Sequence, residues 1–327
     1  MDPLSQAVFG AAAAQASANK KRLGIACLAG ALGGLAPDLD VFIRSAADPM
    51  MSMQYHRHFT HSLPFVPVGG LIVAVGLWIL LKLREKFLGH AMPARFWILY
   101  LFATLGFATH GLVDVMTSYG TVLMWPFTEE RFSVDWVSII DPIVTLPLLF
   151  GTWWAVKKRS HKPLIITCFF VGAYITCLSM LHSRAYQIYA DTLLKDKVAY
   201  NQLRVMPRLF KPFSYRAVYR DDSKIVMGSI KPSLGGETDI VIAGEVPLFE
   251  LEDFAETHEL TDKLKRQLEV YEWFADGFTG IYQSNVDAGT FIIGDYRYGN
   301  LDEATKPLWG LEVNMRTQTV TNLSLRD

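Results

Sequence analysis

Residues 64–81 read PFVPVGGLIVAVGLWILL and residues 163–181 read PLIITCFFVGAYITCLSML, runs of 18 and 19 positions without one charged side chain. An α-helix rises about 1.5 Å per residue, so either run can cross a hydrocarbon core of roughly 30 Å. Four further stretches extend the pattern. Phe96–Ser118 is apolar except for His110 and Asp114, and Ile139–Val156 is apolar after Asp141. Leu23–Ile43 is rich in Ala and Gly and broken by Pro37-Asp38-Leu39-Asp40, while Leu4–Ala18 is shorter and rich in Ala. Small residues suit close helix packing in a membrane bundle. The expected architecture of residues 1–182 is a multi-pass all-α membrane helical bundle of about 5–6 hydrophobic helices.

The charges divide the chain at the same place. Residues 1–182 hold 14 Lys/Arg and 10 Asp/Glu, whereas residues 183–327 hold 17 and 22, in a chain of net charge −1. The first part is charge-poor and the second has the density of a water-facing domain, which excludes both one uniform globular fold and disorder. No basic field points to nucleic acid. Cys27, Cys168 and Cys177 lack metal-finger spacing and read as small apolar side chains. Met1-Asp2-Pro3 has no basic segment before an apolar one, so a cleaved leader is not expected.

Basic loops set the orientation. Lys20-Lys21-Arg22, then Lys82 to Arg95, then Lys157 to Lys162 alternate with loops poor in Lys and Arg. The basic loops should face the cytoplasm, and residues 183–327 should form an extracytoplasmic soluble α+β domain. There, Arg184–Arg204 and Leu248–Ala275 read as helices. Residues 215–219, 224–227, 239–242 and 309–315 read as strands, and 278–283 with 290–297 as a hairpin around 285–289.

Ionisable side chains inside or beside membrane segments are costly and mark function. Here they are Asp38 and Asp40; His56, His58 and His61; His110 and Asp114; and Asp141. With the orientation above, all fall at the non-cytoplasmic ends of their segments, so positions far apart in sequence share one depth. Imidazole plus carboxylate is the ligand set of Zn, Mn or Fe ions. His110 and Asp114, spaced i,i+4, share a helix face. Asp38 and Asp40 could instead cap helices, and His58 is expected to point away from His56 and His61. His90, His161, His182 and His258 read as loop, end or surface positions.

These residues resemble a known group, the bacterial inner-membrane metal-dependent hydrolases sometimes described as LexA-binding. The similarity rests on Met1-Asp2-Pro3-Leu4-Ser5-Gln6-Ala7, Pro37-Asp38-Leu39-Asp40, His56-Arg57-x-x-Thr60-His61-Ser62, His110-x-x-x-Asp114 and Thr117-Ser118-Tyr119-Gly120-Thr121. It covers residues 1–180 well and extends weakly to Phe210–Val218 and Asp295-Tyr296-Arg297-Tyr298-Gly299. His58 stands where glycine is more usual, and Gln6 where some relatives have histidine, so Gln6 could offer a carbonyl oxygen. The His-x-x-x-Asp pair is also fainter kin to zinc-dependent phospholipase C and P1-type nucleases.

The resemblance implies a membrane-bound hydrolase of the inner membrane. One or two divalent ions, zinc foremost, would be held by Asp38, Asp40, His56, His61, His110 and Asp114. Arg57 would stabilise developing negative charge, with Thr60, Ser62 and Asp141 supporting the site. The expected substrate is a phosphodiester or a lipid-linked ester, and the bilayer is the expected partner. Two other readings stand beside it: an ion or metal transporter, which needs ionisable groups continuing to the cytoplasmic helix ends, and a non-enzymatic envelope or regulatory protein with a structural metal.

Overall fold

The computed structural model describes residues 1–232, 238–285, 289–301 and 303–325. It comprises two compact units, 1–42 with 55–180, and 43–54 with 181–327.

The first unit is helical. α1 (Pro3–Ser17) leads to α2 (Leu23–Leu35), which tightens into a 3-10 helix over Ala36–Phe42. The short α3 (Met51–Tyr55), which falls mostly in the 43–54 segment of the second unit, precedes a second 3-10 turn at Phe59–His61. Then come α4 (Val66–Leu88), α5 (Phe96–Val115), α6 (Pro142–Lys158) and the 34-residue α7 (Lys162–Lys195). Among the described residues, four segments are long and apolar enough to span a membrane: Leu23–Phe42, Val66–Leu88, Phe96–Val115 and Lys162–Lys195. That is fewer than the number expected from hydropathy. α1 and α6 hold 15 and 17 residues, about 22 and 25 Å of rise, short of a roughly 30 Å core.

Glycine lets three helices meet backbone to backbone. A Cβ on Gly30 of α2 would strike the Gly10 carbonyl of α1, and one on Gly106 of α5 would strike the Gly30 carbonyl. The obstacle is backbone, which cannot rotate away. Gly106→Val is therefore expected to cost more than the about 1–3 kcal/mol of ordinary overpacking, read as lost thermal stability of the detergent-purified chain.

In the second unit, β1 (Gln202–Arg208), β2 (Lys211–Arg220), β3 (Lys224–Lys231) and β4 (Asp239–Pro247) form one antiparallel sheet in sequence order. β5 (Thr279–Asn285), β6 (Thr290–Asp295), β7 (Trp309–Asn314) and β8 (Thr319–Ser324) form another. Alternation sorts the first sheet into two faces. Val205, Ala217 and Val226 pack with Ala185, Tyr189 and Leu193 of α7. Met206, Val218 and Met227 pack with Phe278 and Tyr296. α8 (Leu251–Thr257) and α9 (Asp262–Phe274) contribute Leu251, Leu264, Leu268 and Tyr271 to a core with Ile293, Leu311 and Val313.

Three sequence expectations change here. The helix expected over 184–204 stops at Lys195, because Lys197 takes the left-handed conformation and Val198 N–H donates to the Leu193 carbonyl at 2.9 Å. This stop normally uses glycine, so the sequence hid it, and β1 follows. The single helix expected over 248–275 is two, because Thr261 caps α9 by accepting from Leu264 N–H. β8 adds a strand after the last one expected, while residues 286–288 of the expected hairpin turn lie outside the described residues.

Candidate metal centre

The two acidic residues of Pro37-Asp38-Leu39-Asp40 lie on the 3-10 helix after α2. Three residues per turn send positions two apart in different directions, and the two carboxylates do separate. Asp38 Oδ1 lies 3.5 Å from His61 Nε2 and 3.4 Å from His110 Nε2. Asp40 faces the other side of the His61 ring, where its Oδ2 lies 3.3 Å from Nδ1.

α5 supplies His110 and Asp114 from one face, and Asp114 Oδ2 lies 3.4 Å from His110 Nε2 and 3.3 Å from His61 Nε2. The two Nε2 atoms are 2.8 Å apart. Asp38, His61, His110 and Asp114 thus offer four donor atoms within 4.8 Å of one another, a buried cluster that could hold a metal ion.

The residues around the cluster fix its tautomers. His110 Nδ1–H donates to the Gly34 carbonyl at 2.6 Å, which turns the Nε2 lone pair inward. His61 Nδ1 lies 3.0 Å from Thr60 Oγ1, which donates to Asp40 Oδ2 at 3.1 Å. Asp40 also accepts from His56 Nδ1–H at 2.8 Å and from Arg57 N–H at 3.0 Å. A carboxylate behind a ligating imidazole is the usual way to orient it.

The fit to a metal is a matter of lone pairs. With both Nδ1 atoms as donors, two imidazole lone pairs and two carboxylate oxygens face one another, an arrangement that a shared cation relieves. Asp114 Oδ2 is buried without a hydrogen bond. A tetrahedron with metal–ligand bonds of about 2.0–2.1 Å has edges of about 3.3 Å, and four of the contacts measure 3.3 to 3.5 Å.

Asp114 Oδ1 accepts from Gln6 Nε2 at 2.8 Å and from the Met1 amine. Gln6 therefore meets the cluster through its amide nitrogen, and its Oε1 has no hydrogen-bond partner. Arg57 has φ 62° and is buried. Its Nε lies 3.3 Å from Asp114 Oδ2, Nη1 donates to Thr117 Oγ1 at 3.1 Å, and its guanidinium stands 4.6 Å above the Tyr119 ring. The Asp38 side chain is 24% exposed and that of His56 26%, against 0% for His61, His110 and Asp114, so the cluster opens on the Asp38 and His56 side.

Not every expected residue gathers here. Asp38, His61, His110 and Asp114 converge, and Arg57 and Thr60 touch them. Asp40 and His56 stand one layer out, bonded to each other. Ser62 donates to the Phe59 carbonyl at 2.8 Å and shapes the turn. Asp141 caps α6 by accepting from Ile143 N–H and also accepts from Tyr174 OH at 3.0 Å. His58 points to Glu129 Oε2, 2.7 Å away. Thr117 and Tyr119 were not expected at the site; their signal was the Thr117-Ser118-Tyr119-Gly120 segment directly after α5, whose contact with Arg57 only folding creates.

Similarity to known proteins is confined to the part of the chain that holds the cluster. Residues 1–185 match the YdjM inner membrane protein family. The chain is 25% identical over 182 residues to "Uncharacterized protein YfhP" of Bacillus subtilis, covering 53% of this chain and 52% of that protein. It is 33% identical over 111 residues to "Inner membrane protein YbcI" of Escherichia coli, covering 33% and 57%. The chain thus spans about half the length of the curated relatives it matches. No solved structure matches it. The motifs from Met1 to Thr121 and the whole donor cluster lie within the matched residues, and the chain belongs to the YdjM inner membrane protein family.

Proposed function

We propose that the chain is a membrane-bound metal-dependent hydrolase that cleaves a phosphodiester or lipid-linked ester at the outer face of the inner membrane. The observation that carries this reading is the convergence of four lone-pair donors from Asp38, His61, His110 and Asp114, open on one side and flanked by a buried arginine. Asp38, His61, His110 and Asp114 would hold a divalent ion, zinc by the character of the donors, which when bound would supply Lewis-acid activation of water.

The chain's own residues do the rest. Asp40 and Thr60 hold the His61 ring, and the Gly34 carbonyl holds His110. Arg57, pinned by Thr117 and Tyr119, presents a fixed positive charge to an anionic group such as a phosphoryl oxygen. Leu39, Val41 and Phe42 beside the open Asp38 are exposed and suit a substrate with an apolar chain.

The basic loops after α1, α4 and α6 support an outward-facing cluster, with residues 183–327 extracytoplasmic. Toward the opposite helix ends, the buried polar pair Gln15 and Thr152 is not ionisable, which favours hydrolysis over transport.

The test is elemental analysis of purified protein, followed by phosphodiester, phospholipid and peptide substrates with and without chelator. Bound divalent metal and chelator-sensitive cleavage are expected. Unchanged activity in a metal-free preparation would sink the reading, and metal without cleavage of any class would make the site structural.

A further inference from the structure

The turn between β1 and β2 is unusual for an exposed hairpin. It reads Arg208-Leu209-Phe210-Lys211-Pro212-Phe213, with Arg208 paired to Lys211 across the strands. Leu209 is 51% exposed, Phe210 64% and Phe213 61%. Two-residue hairpin turns that need φ above zero favour Asn, Asp or Gly, yet Phe210 has φ 56°. A bulky apolar side chain held in that conformation and left in the open gains nothing from packing, and such outliers point to function.

The direction of the hairpin supplies its partner. β1 begins beside the C-terminal end of α7, where Val198 N–H donates to the Leu193 carbonyl. By Val205 it has run back to His182, whose Nε2–H donates to the Val205 carbonyl at 2.8 Å. Tyr215, opposite Pro207 on β2, has its ring 6.1 Å from that of His182. The turn therefore lies at the end of the second unit where the chain of α7 enters it, by His182, the residue that follows the charge-free run 163–181 in the sequence.

We propose that this turn is a membrane-interface anchor. Leu209, Phe210 and Phe213 enter the boundary between headgroups and acyl chains of the leaflet that α7 leaves, and Arg208 and Lys211 meet anionic lipid headgroups. Apolar and aromatic side chains bracketed by basic ones are the composition of interfacial anchors. The anchor gives the second unit a contact with the bilayer besides its covalent link through α7, whatever reaction the first unit performs.

The test uses the unmodified chain in bilayers of phosphatidylcholine with phosphatidylglycerol, doped with a lipid that carries a photoactivated carbene source at the headgroup boundary. Adducts mapped by mass spectrometry are expected on 209–213 and not on the exposed β7–β8 turn at Thr317. Phe210→Ser with Lys211→Glu should cut the 209–213 adducts several-fold, at roughly the loss expected when both apolar and electrostatic contacts go, while adducts on α4 persist. Labelling of 209–213 no greater than at Thr317 would overturn the proposal. So would protection of 209–213 from a water-soluble label without lipid adducts, which would point to a protein partner.

Discussion

Purified Asp114→Asn is expected to carry no more metal than background. Asp114 Oδ2 is one of four converging donors and has no hydrogen bond of its own, while Oδ1 is already bonded to Gln6 and the Met1 amine. Asparagine keeps the volume and one oxygen but removes the charge that Arg57 and the amine face. The comparison that gives the result meaning is Asp40→Asn. Asp40 touches only the outer nitrogen of His61, together with Thr60, His56 and the Arg57 N–H. Its loss should weaken metal binding by about 10–100-fold without abolishing it, the usual worth of a group that orients a ligand. Isothermal titration with Zn²⁺ on chelator-stripped protein, with helix content followed by circular dichroism, separates lost affinity from lost fold. Equal losses in the two variants would mean that Asp40 is itself a ligand.

Arg297→Met should be the most damaging single change in the second unit. Arg297 is buried at the end of β6 and holds Asp295 through two side-chain bonds, Nε to Oδ1 at 3.0 Å and Nη2 to Oδ2 at 2.7 Å. Nη2 also donates to the Phe274 carbonyl at 2.6 Å, tying β6 to the end of α9. Methionine fills similar space but leaves the buried Asp295 carboxylate without this counter-charge, keeping the residue 297 N–H on its Oδ1, at a cost of about 3–5 kcal/mol. Asp295→Leu together with Arg297→Met should recover most of that, because a buried ion pair replaced by packed apolar groups is often neutral. Thermal unfolding of the full chain, followed by near-ultraviolet signals, reads both. A double variant no more stable than the single one would show that the pair stabilises beyond charge neutrality.

The legible parts of the fold are those set by local periodicity. Charge-free runs of 18 and 19 residues have few stable outcomes besides spanning helices; all of the first but Pro64 and Phe65 lies in α4, and the second lies inside α7. Alternating Tyr215-Arg216-Ala217-Val218-Tyr219 fits a strand and lies in β2. The errors came at boundaries set by backbone conformation. Lys197 ends α7 where sequence rules look for glycine, and Thr261 starts α9 within a stretch whose composition suits helix throughout.

At the site, i,i+4 spacing was enough to put His110 and Asp114 on one face. The sequence could not rank Asp38 against Asp40 or His61 against His56. That ranking depends on the 3-10 turn of Ala36–Phe42 and on the left-handed backbone at Arg57, which directs its N–H to Asp40 and its guanidinium to Thr117 and Tyr119.

The amino-acid sequence by itself determined that this is a membrane helical protein with a charged α+β region after it, and that its few intramembrane acids and histidines belong together. Hydrophobicity and its period act over a few turns of chain and need no partner to be read. Only the tertiary structure decided which four side chains share a centre, which carboxylate orients rather than faces it, and that Asp141 and Ser62 serve caps and turns. Those outcomes depend on distances between helices that glycine contacts bring together, and on which nitrogen of each imidazole its neighbours leave without a proton.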